Sequence, residues 1–144
     1  MSQLDQPLLP PAMLGILGGG QLGRFFVIAA HEMGYKVTVL DPDPKSPAGS
    51  IADIHLCNAY DDLSALEVIR NTCQGVTTEF ENVPADSMDF LSKKIHVSPS
   101  AESVKVAQHR VLEKTFLKES GLPLGSFEII REDKDFPSDT SSIY

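Results

Sequence analysis

Short apolar runs alternate with amphipathic stretches along the chain. Residues 13–18 form an apolar run bounded by glycine, which is typical of a strand buried in a parallel sheet. In residues 22–33 the apolar side chains recur at helical spacing and predict one buried face of a helix that Gly34 ends. Those side chains are Leu22, Phe25, Phe26, Ala29, Ala30 and Met33. The β-branched run at residues 36–40 predicts a second strand, which completes a βαβ unit.

The same alternation of apolar runs and amphipathic stretches continues, less clearly marked, to residue 119. We predict further strands at residues 54–57, 75–78 and 95–97. Further helices are predicted at residues 61–72, capped by Asp61 or Asp62, from near Pro84, and at residues 101–119. This alternation predicts an α/β fold, a Rossmann-like, doubly wound parallel sheet of three layers with helices on both faces. Residues 125–130 resemble one more strand without an obvious partner, and residues 133–144 are polar and rich in turn formers.

Composition places the chain among folded, single domains. Its 144 residues, 42% of them hydrophobic and 22% charged, are enough for one domain core. Twelve basic and twenty acidic residues give a net charge of −8, which argues against a nucleic-acid partner and requires any anionic ligand to be bound locally. No apolar run approaches the ~20 residues that span a bilayer, so we expect no membrane partner. Cys57 and Cys73 form no metal or disulfide pattern, which is typical of reduced thiols in a cytoplasmic protein.

A glycine motif follows the first predicted strand. Residues 18–23 read Gly-Gly-Gly-Gln-Leu-Gly, which fits G-x-G-x-x-G in its required position between a strand and a helix. The first glycine permits a tight turn, the second lets a ligand approach the backbone, and the third lets the helix pack closely on the sheet. Exposed amides at the helix start favour an anionic group such as a phosphate or a carboxylate. The alternative is that these glycines serve only a close turn.

Asp41 ends the second predicted strand, 41 − 18 = 23 residues after the first glycine of the motif. In dinucleotide-binding folds an acid at this place binds ribose hydroxyls, which makes an NAD(P)-binding module of an oxidoreductase the alternative function. The sequence Asp41-Pro42-Asp43-Pro44 is equally typical of a strand terminator in which aspartate forms a turn. Spacing alone does not decide between the two roles.

A polar segment follows the strand predicted at residues 75–78. Glu79, Glu81 and Asn82 come directly after it, at the carboxyl edge of the sheet, where open α/β folds bind ligands. Two carboxylates and an amide there can bind hydroxyl or amine groups, and strand alternation directs Phe80 toward the core. The alternative is that Asn82 caps the helix that starts near Pro84 and that the glutamates are solvated.

No residue pattern indicates a metal site or independent catalysis. The four histidines occur singly, without a second ligand at metal spacing; they are His31, His55, His96 and His109. There is no nucleophile motif, no Walker lysine and no Cys/His pairing. We therefore predict no catalytic residue and no metal ligand in this chain.

Five motifs in a fixed order resemble the N5-carboxyaminoimidazole ribonucleotide synthetase family, the ATPase subunit of phosphoribosylaminoimidazole carboxylase. They are Gly18-Gly-Gly-Gln-Leu-Gly-Arg24, Leu40-Asp-Pro-Asp43, Glu79-Phe-Glu-Asn-Val-Pro84, Ser98-Pro-Ser100 and Val106-Ala-Gln-His-Arg110. The resemblance runs from about residue 13 to about residue 127. It implies an ATP-grasp ligase of purine biosynthesis that uses ATP and bicarbonate to carboxylate the amine of aminoimidazole ribonucleotide.

The resemblance covers only the first of three domains of such a ligase. We expect a flexible leader at residues 1–12, a pre-ATP-grasp domain at 13–122 and the start of a linker or next domain at 123–144. ATP and Mg²⁺ are the implied cofactors of the full-length enzyme, bound mostly by its other domains, so this chain alone should be inactive and bind no cofactor tightly. The implied partners are the ribonucleotide, bicarbonate and ATP, and the family leaves room for a homodimer.

The resemblance also implies a binding site at the carboxyl edge of the sheet. The phosphate or ribose end of the ribonucleotide is expected near the glycine loop, with the acidic segment opposite. The implied substrate-binding residues are Gly18, Gly20, Gln21, Leu22, Glu79, Glu81 and Asn82. Lys105 resembles the basic position that contacts ATP near the domain border, whereas His109 departs from the acidic residue expected there. Pre-ATP-grasp domains share the glycine loop but bind a different ligand, so NAD(P) becomes the second choice.

Overall fold

The computed structural model describes residues 7–131, which contain five strands and five helices that alternate, except that the second and third strands are consecutive and so are the last two helices. The strands are β1 (Met13–Leu17), β2 (Lys36–Leu40), β3 (Ile54–Leu56), β4 (Gly75–Thr78) and β5 (His96–Val97). The helices are α1 (Gln21–Glu32), α2 (Leu63–Thr72), α3 (Ala85–Ser92), α4 (Ala101–Gln108) and α5 (Arg110–Glu119). Residues 1–6 of the predicted leader and residues 132–144 of the predicted tail lie outside the described residues.

All five strands are parallel and lie in the order β3-β2-β1-β4-β5. The chain moves outward from β1 to β3 and then returns to the other side of β1 for β4, so the strand order reverses between β1 and β4. Leu17 pairs with both Leu40 and Thr78, which means that β1, β2 and β4 end at the same level. The predicted parallel α/β fold is confirmed, and the segments after these three strands meet at one edge.

Helices cover the two faces of the sheet unequally. One face carries α2, α3 and part of α4, and its core contains Leu17, Leu66 and Met88, all at most 1% exposed. The opposite face carries α1 and the loop that follows β2, with Ile16 and Val27 in a smaller core. Neighbouring residues of β1 enter different cores because successive strand side chains point to opposite faces. The three predicted layers are therefore present.

Helix α1 buries only part of the face that its apolar pattern predicts, since Ala30 is buried and Phe26 packs against the core. Its buried residues are Gly23, Val27 and Ala30. Leu22, Phe25 and Met33, which were expected inside, are 66%, 64% and 61% exposed. The prediction was wrong for these three residues, and near the start of the helix the buried face is centred on Gly23 and Val27, where the backbone packs closely on the glycine loop. A Cβ on Gly23 would lie only 2.7 Å from the carbonyl oxygen of Gly18.

Two predictions near the end of the chain were also wrong. The helix expected at residues 101–119 is interrupted at His109, whose backbone is extended with φ −119° and ψ 107°. The strand expected at residues 125–130 does not form in the described part of the chain. A further strand would have to form backbone hydrogen bonds with an edge strand. The edge strands β3 and β5 are only three and two residues long and therefore offer little to pair with.

The segment before β1 lies against the amino end of the sheet. The Tyr35 hydroxyl donates to the Leu8 carbonyl at 2.8 Å, and the Lys36 N–H donates to the Ala12 carbonyl at 3.1 Å. The described part of the leader is thus hydrogen-bonded to the domain. Within residues 7–131, no helix is both long enough and apolar enough to cross a bilayer.

Candidate functional site

The glycine loop joins β1 to α1 at the point where the strand order reverses. Gly18 has φ 108°, a left-handed conformation that favours glycine, and its N–H donates to the Leu40 carbonyl at 3.0 Å. Gly20 is the N-cap residue of α1 and provides no side chain to accept hydrogen bonds at the helix start. The first amides of α1 therefore need acceptors from another part of the chain.

Glu79, the residue after β4, provides those acceptors. Its Oε1 accepts the Gly20 N–H at 2.7 Å, and its Oε2 accepts the Gly23 N–H. The Glu79 backbone N–H also donates to the Leu17 carbonyl at 3.3 Å. A carboxylate is favourable at a helix N-terminus because the peptide dipoles place partial positive charge there. The amides predicted to bind a ligand anion are thus occupied by an anion of the protein itself.

Asp41 contacts the glycine loop from the β2 side. This side chain is buried, and its Oδ2 accepts the Gly19 N–H at 2.7 Å and the Tyr60 hydroxyl at 2.8 Å. Its Oδ1 accepts the Asp43 N–H at 2.8 Å, which forms the turn after β2. Both oxygens are therefore used inside the protein. Of the two roles that spacing left open, the contacts match the turn former and not the ribose ligand.

Tyr60 is a member of this site that the sequence analysis missed. Its ring packs edge-on against Phe80, with 5.5 Å between the ring centroids, so it connects the Asp41 side of the site to the segment of Glu79. Burial raises the pKa of the Tyr60 phenol well above its ordinary value, and the hydrogen bond to Asp41 adds to this effect. The hydroxyl is therefore a stable donor at neutral pH. The available signal was its position shortly after β3, at the same sheet edge.

The acidic segment is fixed by a contact from α4. The Gln108 Nε2 donates to the carbonyls of Glu81 and Val83 at 2.6 and 2.5 Å. The Asn82 side chain donates to Glu81 Oε1 at 3.3 Å, and both side chains are exposed. Helix α3 has Pro84 as its N-cap and no side-chain cap, so the capping role considered for Asn82 is wrong. Gln108 belongs to one of the resembling motifs, but its contact with this segment was not predicted.

A groove of about 410 Å³ opens beside the two glutamates. Its lining includes Glu79, Phe80, Glu81, Pro99, Ser103 and Ala107. This volume lies within the ~300–1,000 Å³ that is typical of small-molecule sites. A larger cavity of about 760 Å³ lies between α5 and residues 127–129, and no predicted site residue lines it. The groove combines carboxylates with apolar walls, which suits a ligand that has hydrogen-bond donors and a flat ring.

The structure brings most of the predicted site residues to one edge. Gly18, Gly20 and Glu79 are in direct contact or close approach, since a Cβ on Gly18 would lie 2.5 Å from Glu79 Cγ. Gln21 and Leu22 are exposed on the first turn of α1. Lys105 is exposed on α4 and lies outside the lining of the groove. Within residues 7–131, no group of three His, Cys, Asp or Glu side chains is placed to bind a metal ion.

Known proteins resemble this chain over most of its length. A family profile described as "Ribonucleotide synthetase preATP-grasp domain" matches residues 12–108. The N5-carboxyaminoimidazole ribonucleotide synthase of Bacillus subtilis (strain 168) is 33% identical over 126 residues, which is 88% of this chain and 33% of that protein. The chain therefore spans about a third of the length of such relatives.

Two solved structures give the same result. The N5-carboxyaminoimidazole synthetase of Staphylococcus aureus complexed with ADP matches with a TM-score of 0.74 and 38% identity, over 79% of this chain and 31% of that one. The N5-carboxyaminoimidazole synthase of Aspergillus clavatus, in complex with ADP and 5-aminoimidazole ribonucleotide, matches with a TM-score of 0.72 and 31% identity, over 80% of this chain and 31% of that one.

Proposed function

The chain belongs to the ribonucleotide synthetase preATP-grasp domain family, and on that premise we propose that it is the substrate-binding first domain of a purine-biosynthesis ligase. The proposed ligase uses ATP and bicarbonate to carboxylate 5-aminoimidazole ribonucleotide to its N5-carboxy form. The observation that carries this proposal is the family match over residues 12–108, which includes both the glycine loop and the acidic segment. An NAD(P)-binding module is not favoured, because the relatives are ribonucleotide synthases and Asp41 is used inside the protein.

The proposed site lies where the glycine loop meets the acidic segment. Gly18, Gly20, Gln21 and Leu22 form one side, and Glu79, Glu81 and Asn82 form the other. Glu79 gives one oxygen to each of two amides, and a carboxylate has about four lone-pair positions, so acceptor capacity remains. Ribose hydroxyls and an aromatic amine are donors that such oxygens can bind. The groove beside Phe80 has room for the ring of the ribonucleotide.

The described residues do not by themselves fit ATP with Mg²⁺. They provide no cluster of three metal-ligating side chains, and Lys105 is an exposed cation outside the groove. The proposal therefore assigns Mg²⁺ and most of the nucleotide contacts to the two thirds of the relatives that this chain does not span. Lys105 is proposed to contact ATP only at the border with that part. The isolated chain is expected to turn over no ATP.

The proposal includes a homodimer and a cytoplasmic location. Phe25, Ile28 and Met33 form an exposed apolar surface on α1, which supports contact with a second copy. Cys57 and Cys73 are free cysteines, as is common in a reducing compartment. Light scattering of the full-length ligase tests the oligomeric state, and a monomeric mass at every concentration would remove the dimer from the proposal.

Binding to the chain itself tests the substrate site. Titration of the ¹⁵N-labelled chain with 5-aminoimidazole ribonucleotide should shift the amide signals of Gln21, Leu22 and Glu79 and leave those of α2 in place. Saturation should be weak, because half of a cleft buries only part of a ligand. NAD at the same concentration should cause no such shifts. The opposite pattern, with shifts from NAD alone, would refute the proposed function.

Kinetics of the full-length ligase that contains this domain test the residues. Glu79→Gln should weaken use of the ribonucleotide by about 1 to 3 kcal/mol, because a charge-assisted hydrogen bond is lost. Gly20→Val should raise the Michaelis constant for the ribonucleotide by crowding the backbone at this position. The Michaelis constant for ATP should stay close to that of the parent in both variants. If folded variants match the parent for the ribonucleotide, the proposed site is wrong.

A further inference from the structure

The glycine loop directs its amides at carboxylates of the same chain. The Gly20 and Gly23 N–H groups donate to Glu79, and the Gly19 N–H donates to Asp41. In folds where such a loop binds a phosphate, these backbone donors are the groups that contact the phosphate oxygens. Here all three have acceptors before any ligand arrives.

The side chain of Glu79 also fills the space above the loop. A Cβ built on Gly18 would lie 2.5 Å from Glu79 Cγ, and one built on Gly20 would lie 2.6 Å from Glu79 Oε1. The glycines therefore allow the close approach of a protein side chain, where dinucleotide folds use the same freedom to admit a ligand. A phosphate group could reach the amides only if the Glu79 side chain moved away.

Charge at the loop opposes that displacement. Two carboxylates, Asp41 and Glu79, already accept three backbone N–H groups of the glycine motif, in a chain whose net charge is −8. Helix α1 has no acidic residue in its own first turn, so Glu79 is the negative group that complements its N-terminus. A phosphate dianion would have to replace this carboxylate or lie beside it, and the second arrangement places like charges in contact.

We propose that Glu79 determines the ligand class of the glycine loop: its carboxylate occupies the amides of Gly20 and Gly23, so the loop rejects phosphate groups and accepts hydrogen-bond donors. The exclusion of phosphate follows from the contacts of the loop alone, whereas the orientation of the ribonucleotide also rests on the proposed function. It changes the orientation expected from the sequence, because the phosphate end of a ribonucleotide must lie away from this loop. The hydroxyl or amine end then faces Glu79.

Removing the carboxylate should create an anion site that the parent lacks. We would titrate the ¹⁵N-labelled chain with inorganic pyrophosphate at fixed ionic strength and follow the amide signals of Gly20 and Gly23. The parent should show no saturable shift at these two signals. Glu79→Ala should bind pyrophosphate roughly tenfold or more tightly than the parent, because the amides and the helix dipole become available. Glu79→Gln should show a smaller gain, since its amide oxygen still accepts one N–H.

Glu32→Ala is the matched control, because Glu32 is an exposed glutamate at the other end of the same helix. It makes the same change in net charge and should gain no pyrophosphate binding. Saturable shifts of Gly20 and Gly23 in the parent would overturn the proposal. So would a folded Glu79→Ala that gains nothing. Circular dichroism reports folding, and if Glu79→Ala is unfolded, the presence or absence of a gain in Glu79→Gln decides the question.

Discussion

Asp41 and Glu79 contact the same glycine loop from neighbouring strands, but their surroundings differ. Asp41 is 8% exposed, and its two oxygens accept three hydrogen bonds from within the protein. Glu79 is half-buried, accepts two backbone N–H groups and lines the groove. A buried carboxylate with all its partners internal stabilises the loop, whereas a partly open one retains capacity for a ligand. Loss of Asp41 should therefore reduce stability, and loss of Glu79 should mainly change binding.

The largest expected effect is that of Asp41→Ala. Removing this side chain leaves the buried Gly19 amide, the Asp43 amide and the partly buried Tyr60 hydroxyl without their acceptor. We expect the free energy of unfolding to fall by about 2 to 4 kcal/mol. Urea denaturation followed by circular dichroism measures the change. Asp43→Ala is the control, because the exposed Asp43 side chain accepts the Lys45 N–H and its loss should cost less than about 1 kcal/mol. Equal losses in the two variants would contradict the comparison.

The next largest effect on stability is expected from adding a methyl group at Gly19, on the Asp41 side of the loop, and we compare it with the same change at Gly20, on the Glu79 side. A Cβ on Gly19 would lie 2.6 Å from Ser46 Oγ and 2.8 Å from Asp41 Cβ, in a buried region. The three atoms nearest to a Cβ on Gly20 all belong to the end of the Glu79 side chain, which is flexible and only half-buried. We expect Gly19→Ala to lower the free energy of unfolding by about 1 to 3 kcal/mol and Gly20→Ala by less than about 1 kcal/mol. Thermal melting of the two variants compares them directly, and the reverse order would show that Glu79 is the more rigid partner.

Tyr60→Phe removes one hydrogen bond from Asp41 while keeping the ring packing. We expect a loss of about 0.5 to 1.5 kcal/mol at pH 7. The fold raises the pKa of Tyr60 above its ordinary value of about 10, so the phenol adds stability below pH 10 and loses that contribution as the pH rises further. The stability difference between parent and variant should therefore narrow above about pH 10. Urea denaturation of both proteins at several alkaline pH values measures this difference. A difference that stays constant above about pH 10 would contradict the prediction that the Tyr60 hydroxyl loses its stabilising contribution there.

The smallest stability effect is expected for Glu79→Gln. The glutamine oxygen can still accept one of the two N–H groups at the start of α1, so one hydrogen bond and the charge are lost, at a site that is only half-buried. We expect a decrease of about 0.3 to 1 kcal/mol in the free energy of unfolding. High salt should reduce the difference, because screening weakens the contact between charge and helix dipole. A decrease as large as that of Asp41→Ala would mean that Glu79 is structural rather than poised for a ligand.

The sequence was sufficient for the positions of the five strands but not for the break at His109 or for the buried face of α1. Strand positions depend on local runs of apolar residues, and the five predicted strands within residues 13–97 all form. The face of α1 depends on how closely the helix approaches the sheet, which Gly23 sets through its distance to the Gly18 backbone. Phe25 and Met33 dominate the apolar pattern by size, but both are more than half exposed in the structure.

The candidate site was predictable in its members but not in its contacts. The glycine loop and Glu79 were both singled out, yet their hydrogen bonds join residues 56 and 59 positions apart. That pairing depends on β4 lying beside β1, which no local pattern records. The spacing of Asp41 from the glycine motif fits two roles. Only the three groups that donate hydrogen bonds to Asp41 distinguish those roles. Tyr60 follows a short edge strand in a segment without a recognisable motif, so only the fold identifies it.

The side chain of Gln108 has a consequence for where this domain can be divided. Its Nε2 donates to the carbonyls of Glu81 and Val83, and the helix ends there because His109 is extended. The family match also ends at residue 108. A polypeptide cut after residue 108 would keep the contact that fixes the acidic segment, whereas one cut a single residue earlier would lose it. We therefore expect Gln108 to be the last residue that such a polypeptide must include to keep the acidic segment in place.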